Sequence, residues 1–153
     1  MTTHLDDKAL TGVVGLDDIL AGGLSRGHVF LLEGSPGAGK TTIALQFLTQ
    51  GAEQGERCLY ISLSESEQEL RDSARSHGIE INEAIEIFEL VSPESLLDAD
   101  QQQSLLYSSD LELGETTKLI FESFERVKPH RVVIDSLSEI PRAHCATDGR
   151  SWH

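Results

Sequence analysis

Nine consecutive residues, GSPGAGKTT at positions 34–42, set three glycines, a proline, a lysine and two threonines directly behind an apolar run, HVFLLE. Gly34, Gly39, Lys40 and Thr41 supply the Gly-x-x-x-x-Gly-Lys-Ser/Thr spacing of a phosphate-binding loop, which follows a strand and opens a helix. In the loop built from Gly34, Ser35, Pro36, Gly37, Ala38 and Gly39, backbone N–H groups turn inward around phosphate oxygens, which a side chain at Gly37 or Gly39 would obstruct. The helix start adds its dipole and its free N–H groups to the same anion. Lys40 then reaches the β and γ phosphates, the Thr41 hydroxyl coordinates Mg2+, and Thr42 completes the binding set. The competing reading is a Gly/Pro turn with an exposed lysine, and the strand–loop–helix context speaks against it.

A nucleotide site needs two further groups. An acid at the end of another buried strand should hold the magnesium shell opposite Thr41, and RVVID ends on Asp135. Another acid should orient an attacking water. Glu65, just beyond CLYISLS, is the best placed, because ligands of a parallel sheet bind at the carboxyl ends of its strands. Glu65 can equally be an acid in a helix's first turn that complements the dipole.

The elements that must position these groups alternate strand and helix, the signature of a parallel α/β sheet. Residues 28–33 read as a short buried strand. From Lys40 to about Gln54, Ile43, Ala44, Phe47 and Leu48 share a helical face, and Gly51 or Gly55 can end the helix. RCLYISL reads as a second strand. Ser66 with Glu69 forms a capping box for a helix of about three turns that Gly78 terminates. AIEIFEL alternates apolar with acidic and reads as a half-exposed strand towards a sheet edge. Residues 93–114 suggest a surface excursion. A helix over residues 115–127 then carries Leu119, Ile120, Phe124 and Val127 on one stripe and stops before Pro129, and RVVIDS is expected as a further buried strand.

Composition excludes several classes. With 153 residues the chain suits one domain and buries roughly 68 to 70% of the surface its unfolded form exposes. A formal charge of −14 argues against a broad nucleic-acid footprint, which needs clustered cations. Residues 64–100 hold eleven acidic residues against two arginines, read as a solvated face rather than a docking patch. The N-terminus lacks a signal peptide's basic and apolar regions, no apolar run approaches a membrane span, and Cys58 and Cys145 show no paired spacing. A cytoplasmic protein is expected. A metal site from His144, Cys145 and His153 is the weaker reading of ligands scattered in a short tail.

The stretch TGVVGLDDILAGGLSRGHVFLLEGSPGAGKTT resembles the opening of a KaiC-type domain of the RecA/RadA superfamily. YISLSESEQELRDSARSHG and RVVIDSLS resemble that family's second strand with its helix and its Walker B strand, so the resemblance spans residues 11–139. It implies a P-loop NTPase, an α/β fold with a RecA-like, mostly parallel sheet flanked by helices. Lys40 and Thr41 would carry phosphate and magnesium, and Asp135 would be the Walker B acid. Where the family often has two consecutive glutamates, this chain has Ser64 and Glu65, so binding is implied more directly than hydrolysis.

Patterning fades after Ile140, and residues 141–153 make a poor central strand. The expected organisation is a tail (1–10), the N-terminal part of a KaiC/RecA-like domain (11–140) and an irregular tail (141–153). The fold would then be incomplete at the C-terminus, as in a truncated or frame-shifted copy of a longer ATPase, with one wall of the pocket absent. The expected function is Mg-ATP binding in an oligomeric regulatory switch. The alternative is a non-catalytic, nucleotide-dependent interaction or signalling module. A small-molecule kinase would use the same loop, but no arginine-rich lid is visible.

Overall fold

In the computed structural model, residues 8–90 and 109–137 are described. Residues 1–7 of the tail expected at 1–10 and the tail expected at 141–153, with His144, Cys145 and His153, lie outside these residues, as does most of the excursion expected at 93–114. The element order is β1 (Lys8–Ala9), α1 (Val14–Ile19), β2 (Leu24–Ser25), α2 (Lys40–Glu53), β3 (Cys58–Ser62), α3 (Glu67–Ser76), β4 (Ile85–Glu89), α4 (Ser109–Val127) and β5 (Arg131–Asp135).

Two sheets result. β1 and β2 form a short antiparallel ribbon with Ala9 opposite Leu24. β3 is the centre of a parallel sheet of order β4-β3-β5, in which Tyr60 stands opposite both Ile87 and Val133 and Ser62 opposite Asp135. Paired on both sides, β3 is buried at every residue, which explains why CLYIS is continuously apolar up to Ser62. Leu45 and Leu48 of α2, Leu70 and Ala74 of α3, and Cys58, Tyr60 and Ile85 of the sheet form one core cluster. Full burial of each such large apolar side chain contributes about 1.5–3 kcal/mol.

The helices carry their own boundaries. α2 ends where Gly55 turns left-handed (φ 79°), its N–H donating to Ala52 O at 3.0 Å and that of Glu56 to Gly51 O at 3.0 Å. Gly51 is therefore not the terminator. It sits inside the helix because a Cβ there would lie 2.5 Å from both Cδ and Nε of Arg131 and 3.0 Å from Cys58 Sγ. α3 opens with the expected reciprocal box: Ser66 Oγ accepts from Glu69 N–H, and Glu69 Oε2 accepts from Ser66 N–H at 2.9 Å. Gly78 (φ 71°) follows its last turn. Ser66→Ala orphans a helix donor and is expected to cost about 1 kcal/mol, seen as a lower urea midpoint at unchanged slope.

Three expectations are corrected. Residues 28–33 form no strand: Val29 is fully exposed and Phe30, Leu31 and Leu32 are exposed as well. A strand exists only against a partner backbone, and among the described residues none pairs with this segment. β5 forms as expected but is not buried throughout, since it lies at the sheet's other edge and leaves Val132 and Ile134 each 36% exposed. The last helix starts at Ser109 rather than at residue 115, and of its expected stripe Leu119 is exposed while Ile120, Phe124 and Val127 are half-buried. That helix is tied to the opposite sheet edge by an ion pair between Arg126 and Glu86. β4 occupies an edge, as its alternation implied. Among the described residues no helix is long and apolar enough to cross a membrane.

Candidate nucleotide site

The site is assembled from the N-terminal turn upward. Asp17, in the first turn of α1, accepts from the Thr11 N–H at 2.7 Å and hydroxyl at 2.8 Å, and from the Gly12 N–H at 3.2 Å. The Thr-Gly-x-x-Gly-Leu-Asp stretch is thus a turn held by its own aspartate, with Thr11 almost fully buried. Behind it, Arg131 at the start of β5 is 2% exposed. Its Nη1 donates to Leu10 O at 2.5 Å and Phe47 O at 2.8 Å, its Nη2 to Gln54 Oε1 at 3.1 Å, and its Nε to Glu56. The guanidinium also lies 4.7 Å over the Phe47 ring. Glu56 is bound on its other side by Arg26, two residues before the 28–33 segment. One buried arginine therefore joins the N-terminal turn, α2 and the strand that ends in Asp135. Burial pushes the Glu56 carboxyl up, but its hydrogen bonds to Arg131 and Arg26 outweigh this and hold it below the usual value.

This frame holds α2 against β5 and sets its N-terminus beside the carboxyl end of that strand. Gly39 is the N-cap of α2 in the left-handed region (φ 86°), and Gly37 shares that conformation (φ 79°). A Cβ at either position would meet nothing within 4 Å. The left-handed backbone by itself calls for glycine at both positions. Residues 34–38 are exposed, and Lys40 folds back on its own loop, Nζ donating to Gly34 O at 2.8 Å and Ser35 O at 3.0 Å.

Thr41 and Asp135, 94 residues apart in sequence, meet: Thr41 Oγ1 donates to Asp135 Oδ2 at 2.7 Å. The Tyr60 hydroxyl donates to the same oxygen, also at 2.7 Å. Burial pushes the Tyr60 phenol far up, and its hydrogen bond to Asp135 and the charges of Asp135 and Glu65 push it further, so it stays a donor. From the sequence alone, Tyr60 in RCLYISL counts only as a residue that favours the pleat of a strand. A tyrosine inside an otherwise apolar buried strand was itself the missed signal, because its hydroxyl must find a partner.

Glu65 lies at the same end of the sheet but is exposed. Its backbone is held by Ser62, whose Oγ accepts from the Glu65 N–H at 3.1 Å and donates to Glu65 O at 2.5 Å. Among the described residues its carboxylate makes no hydrogen bond, and Ser64 beside it is exposed. Two surface hollows lie elsewhere: about 370 Å3 bounded by Arg71, Arg75 and Gly78, and about 420 Å3 bounded by Gly12, Gln50 and Glu80.

The donor set suits magnesium. A hydroxyl and a carboxylate oxygen are hard ligands, and Mg2+ takes only one or two protein groups where phosphates and waters supply the rest. No group of three or more His, Cys, Asp or Glu side chains able to hold a metal occurs among the described residues.

A parallel α/β sheet with a glycine-rich loop opening a helix, whose first threonine meets the acid ending a neighbouring strand, defines a P-loop domain of RecA-like build. The family model described as "ATPase: KaiC" matches residues 9–151, and the chain belongs to that family. It is a KaiC-family ATPase domain, and the family implies nucleotide binding. It is similar to a UPF0273 protein of Aeropyrum pernix, 29% identical over 138 residues that cover 88% of this chain and 56% of the relative. It is also similar to the circadian clock oscillator protein KaiC of Thermostichus vulcanus, 33% identical over 135 residues, covering 88% of this chain and 24% of the relative. The circadian clock protein KaiC3 of Synechocystis is 31% identical over 138 residues, 26% of its own length. The chain thus spans about half the length of the UPF0273 relative and about a quarter of the clock proteins.

Proposed function

We propose that the chain binds Mg-ATP through residues 34–42 and Asp135, and that it works as a nucleotide-dependent regulatory switch in a cytoplasmic homo-oligomer. The observation that carries the reading is the 2.7 Å contact between Thr41 at the start of α2 and Asp135 at the end of β5. Lys40 would exchange its two loop carbonyls for the β and γ phosphates, a change from neutral acceptors to anionic ones. The N–H groups at the start of α2 would face the same phosphates. Thr41 spends its proton on Asp135, which leaves its lone pairs for a cation. Bound magnesium supplies neutralisation of charge on the phosphate oxygens. Clock relatives and KaiC-family membership support the switch reading, and the net charge of −14 speaks against nucleic acid as a partner.

Thermal unfolding with and without Mg-ATP tests the binding reading: a nucleotide-dependent rise in melting temperature is expected, and its absence would sink it.

Hydrolysis rests on Glu65 alone, since Ser64 carries no carboxylate. If Glu65 orients the attacking water, Glu65→Gln should lower turnover by about 10²–10⁴-fold while leaving ATP affinity nearly unchanged. Phosphate release in single-turnover and steady-state assays measures this. A second reading, a binding module without turnover, is favoured by the exposure of Glu65 and its lack of a side-chain partner among the described residues. Wild-type phosphate release no faster than that of Glu65→Gln would select it.

A further inference from the structure

Both hydrogen bonds to the Asp135 carboxylate among the described residues fall on one oxygen, Oδ2, one from Thr41 and one from Tyr60. Tyr60 is 1% exposed at the centre of β3, paired on both sides, so its ring has no freedom to swing. Asp135, by contrast, ends an edge strand and is only half-buried. A carboxylate in that position, tied only to a threonine that must also serve a cation, could rotate about its side-chain bonds.

We propose that Tyr60 is a positioning residue for the magnesium site: its hydroxyl pins Oδ2 of Asp135, fixing the carboxylate plane so that the other oxygen is presented towards the cation beside Thr41. This rests on the nucleotide reading above and goes beyond it, because Tyr60 lies on β3, outside residues 34–42. The fixed strand supplies the rigidity, and the edge strand supplies the ligand. A hydroxyl donating to a carboxylate is a charge-assisted bond, and holding an outer partner of a metal ligand tunes affinity for the metal without touching it. The ring belongs to the core cluster that includes Leu45, Leu48 and Ile85. Removing the oxygen alone therefore leaves the packing of the ring in place.

The test is the magnesium dependence of ATP affinity, measured by titration calorimetry on the full chain in excess magnesium and again in EDTA. Tyr60→Phe should reduce the ratio of the two affinities about ten- to a hundredfold, the usual cost of removing an outer partner of a metal ligand, while affinity in EDTA stays within about twofold of wild type. Tyr60→Met, a second hydroxyl-free side chain, should give the same ratio. In an Asp135→Asn background, Tyr60→Phe should change the ratio no further, because the oxygen it steers is gone. A native-like melt with an unchanged ratio in both hydroxyl-free variants would overturn the proposal, as would equal losses with and without magnesium. A wild-type chain that binds ATP in neither condition would instead overturn the nucleotide reading on which it stands.

Discussion

Lys40→Ala removes the rise in melting temperature that saturating Mg-ATP gives the wild-type chain. A ligand that binds only the native state stabilises it by about 2.7 kcal/mol at a hundredfold excess over its dissociation constant, which for a domain near this size is a shift of about 5–10 °C. Lys40 provides the only lysine charge in the loop, and its present partners are the carbonyls of Gly34 and Ser35. Those two bonds join an exposed loop to its own helix start and support no core residue. Without nucleotide, Lys40→Ala should therefore melt close to wild type, since substitutions at such sites stay within about 0.5 kcal/mol. The comparison separates a phosphate cradle from a glycine-rich turn. An undiminished shift in Lys40→Ala would mean that ATP binds somewhere other than residues 34–42. Differential scanning fluorimetry in a magnesium buffer, repeated at two ATP concentrations, reads both arms.

Arg131→Ala is expected to be the most damaging single substitution for stability, at about 3–5 kcal/mol, because it takes one of two counter-charges from a largely buried Glu56, leaving only Arg26, and breaks a buried network. The guanidinium side chain is 1% exposed and Glu56 is 15% exposed, so neither can fall back on water. The same change orphans Leu10 O, Phe47 O and Gln54 Oε1. Because Glu56 touches both arginines, adding Glu56→Gln to Arg131→Met should recover part of the loss, whereas independent sites would simply add. The acid limb of stability follows from the direction of the Glu56 shift. Its folded pKa is depressed below 4.5, so ionised Glu56 contributes stability that is fully present above that value and is lost as pH falls through the lower folded value. Arg131→Met should flatten that limb in urea titrations across acidic pH. A cost under about 1 kcal/mol for Arg131→Ala would show that the network is dispensable.

The Arg131 network was invisible in the sequence for an identifiable reason. An arginine opening RVVID looks like a strand-end charge in water, and only the packing of α2 over β5 shows that Gly51 is kept small to admit it. Tyr60 is the same kind of case, since its partner lies 75 residues away. Residues 28–33 show the converse. Their composition is that of a buried strand, yet a strand is a relation between two backbones, and no run of apolar residues supplies the second one by itself.

What the sequence by itself determined was everything governed by neighbours within a turn or two. The phosphate-loop spacing at residues 34–42, the Ser66–Glu69 capping box, the left-handed glycine after α3 and the alternation of β4 depend on local dihedrals, short-range hydrogen bonds and side-chain period. It also determined the family, because those local signals recur in a fixed order. Only the tertiary structure decided which oxygen meets which: Thr41 and Tyr60 on one atom of Asp135, Arg131 beneath the N-terminal turn, Glu65 facing solvent, and residues 28–33 outside the sheet. Those outcomes depend on strand order and on what covers each face. Both are settled by burial and by the satisfaction of polar groups across distant segments.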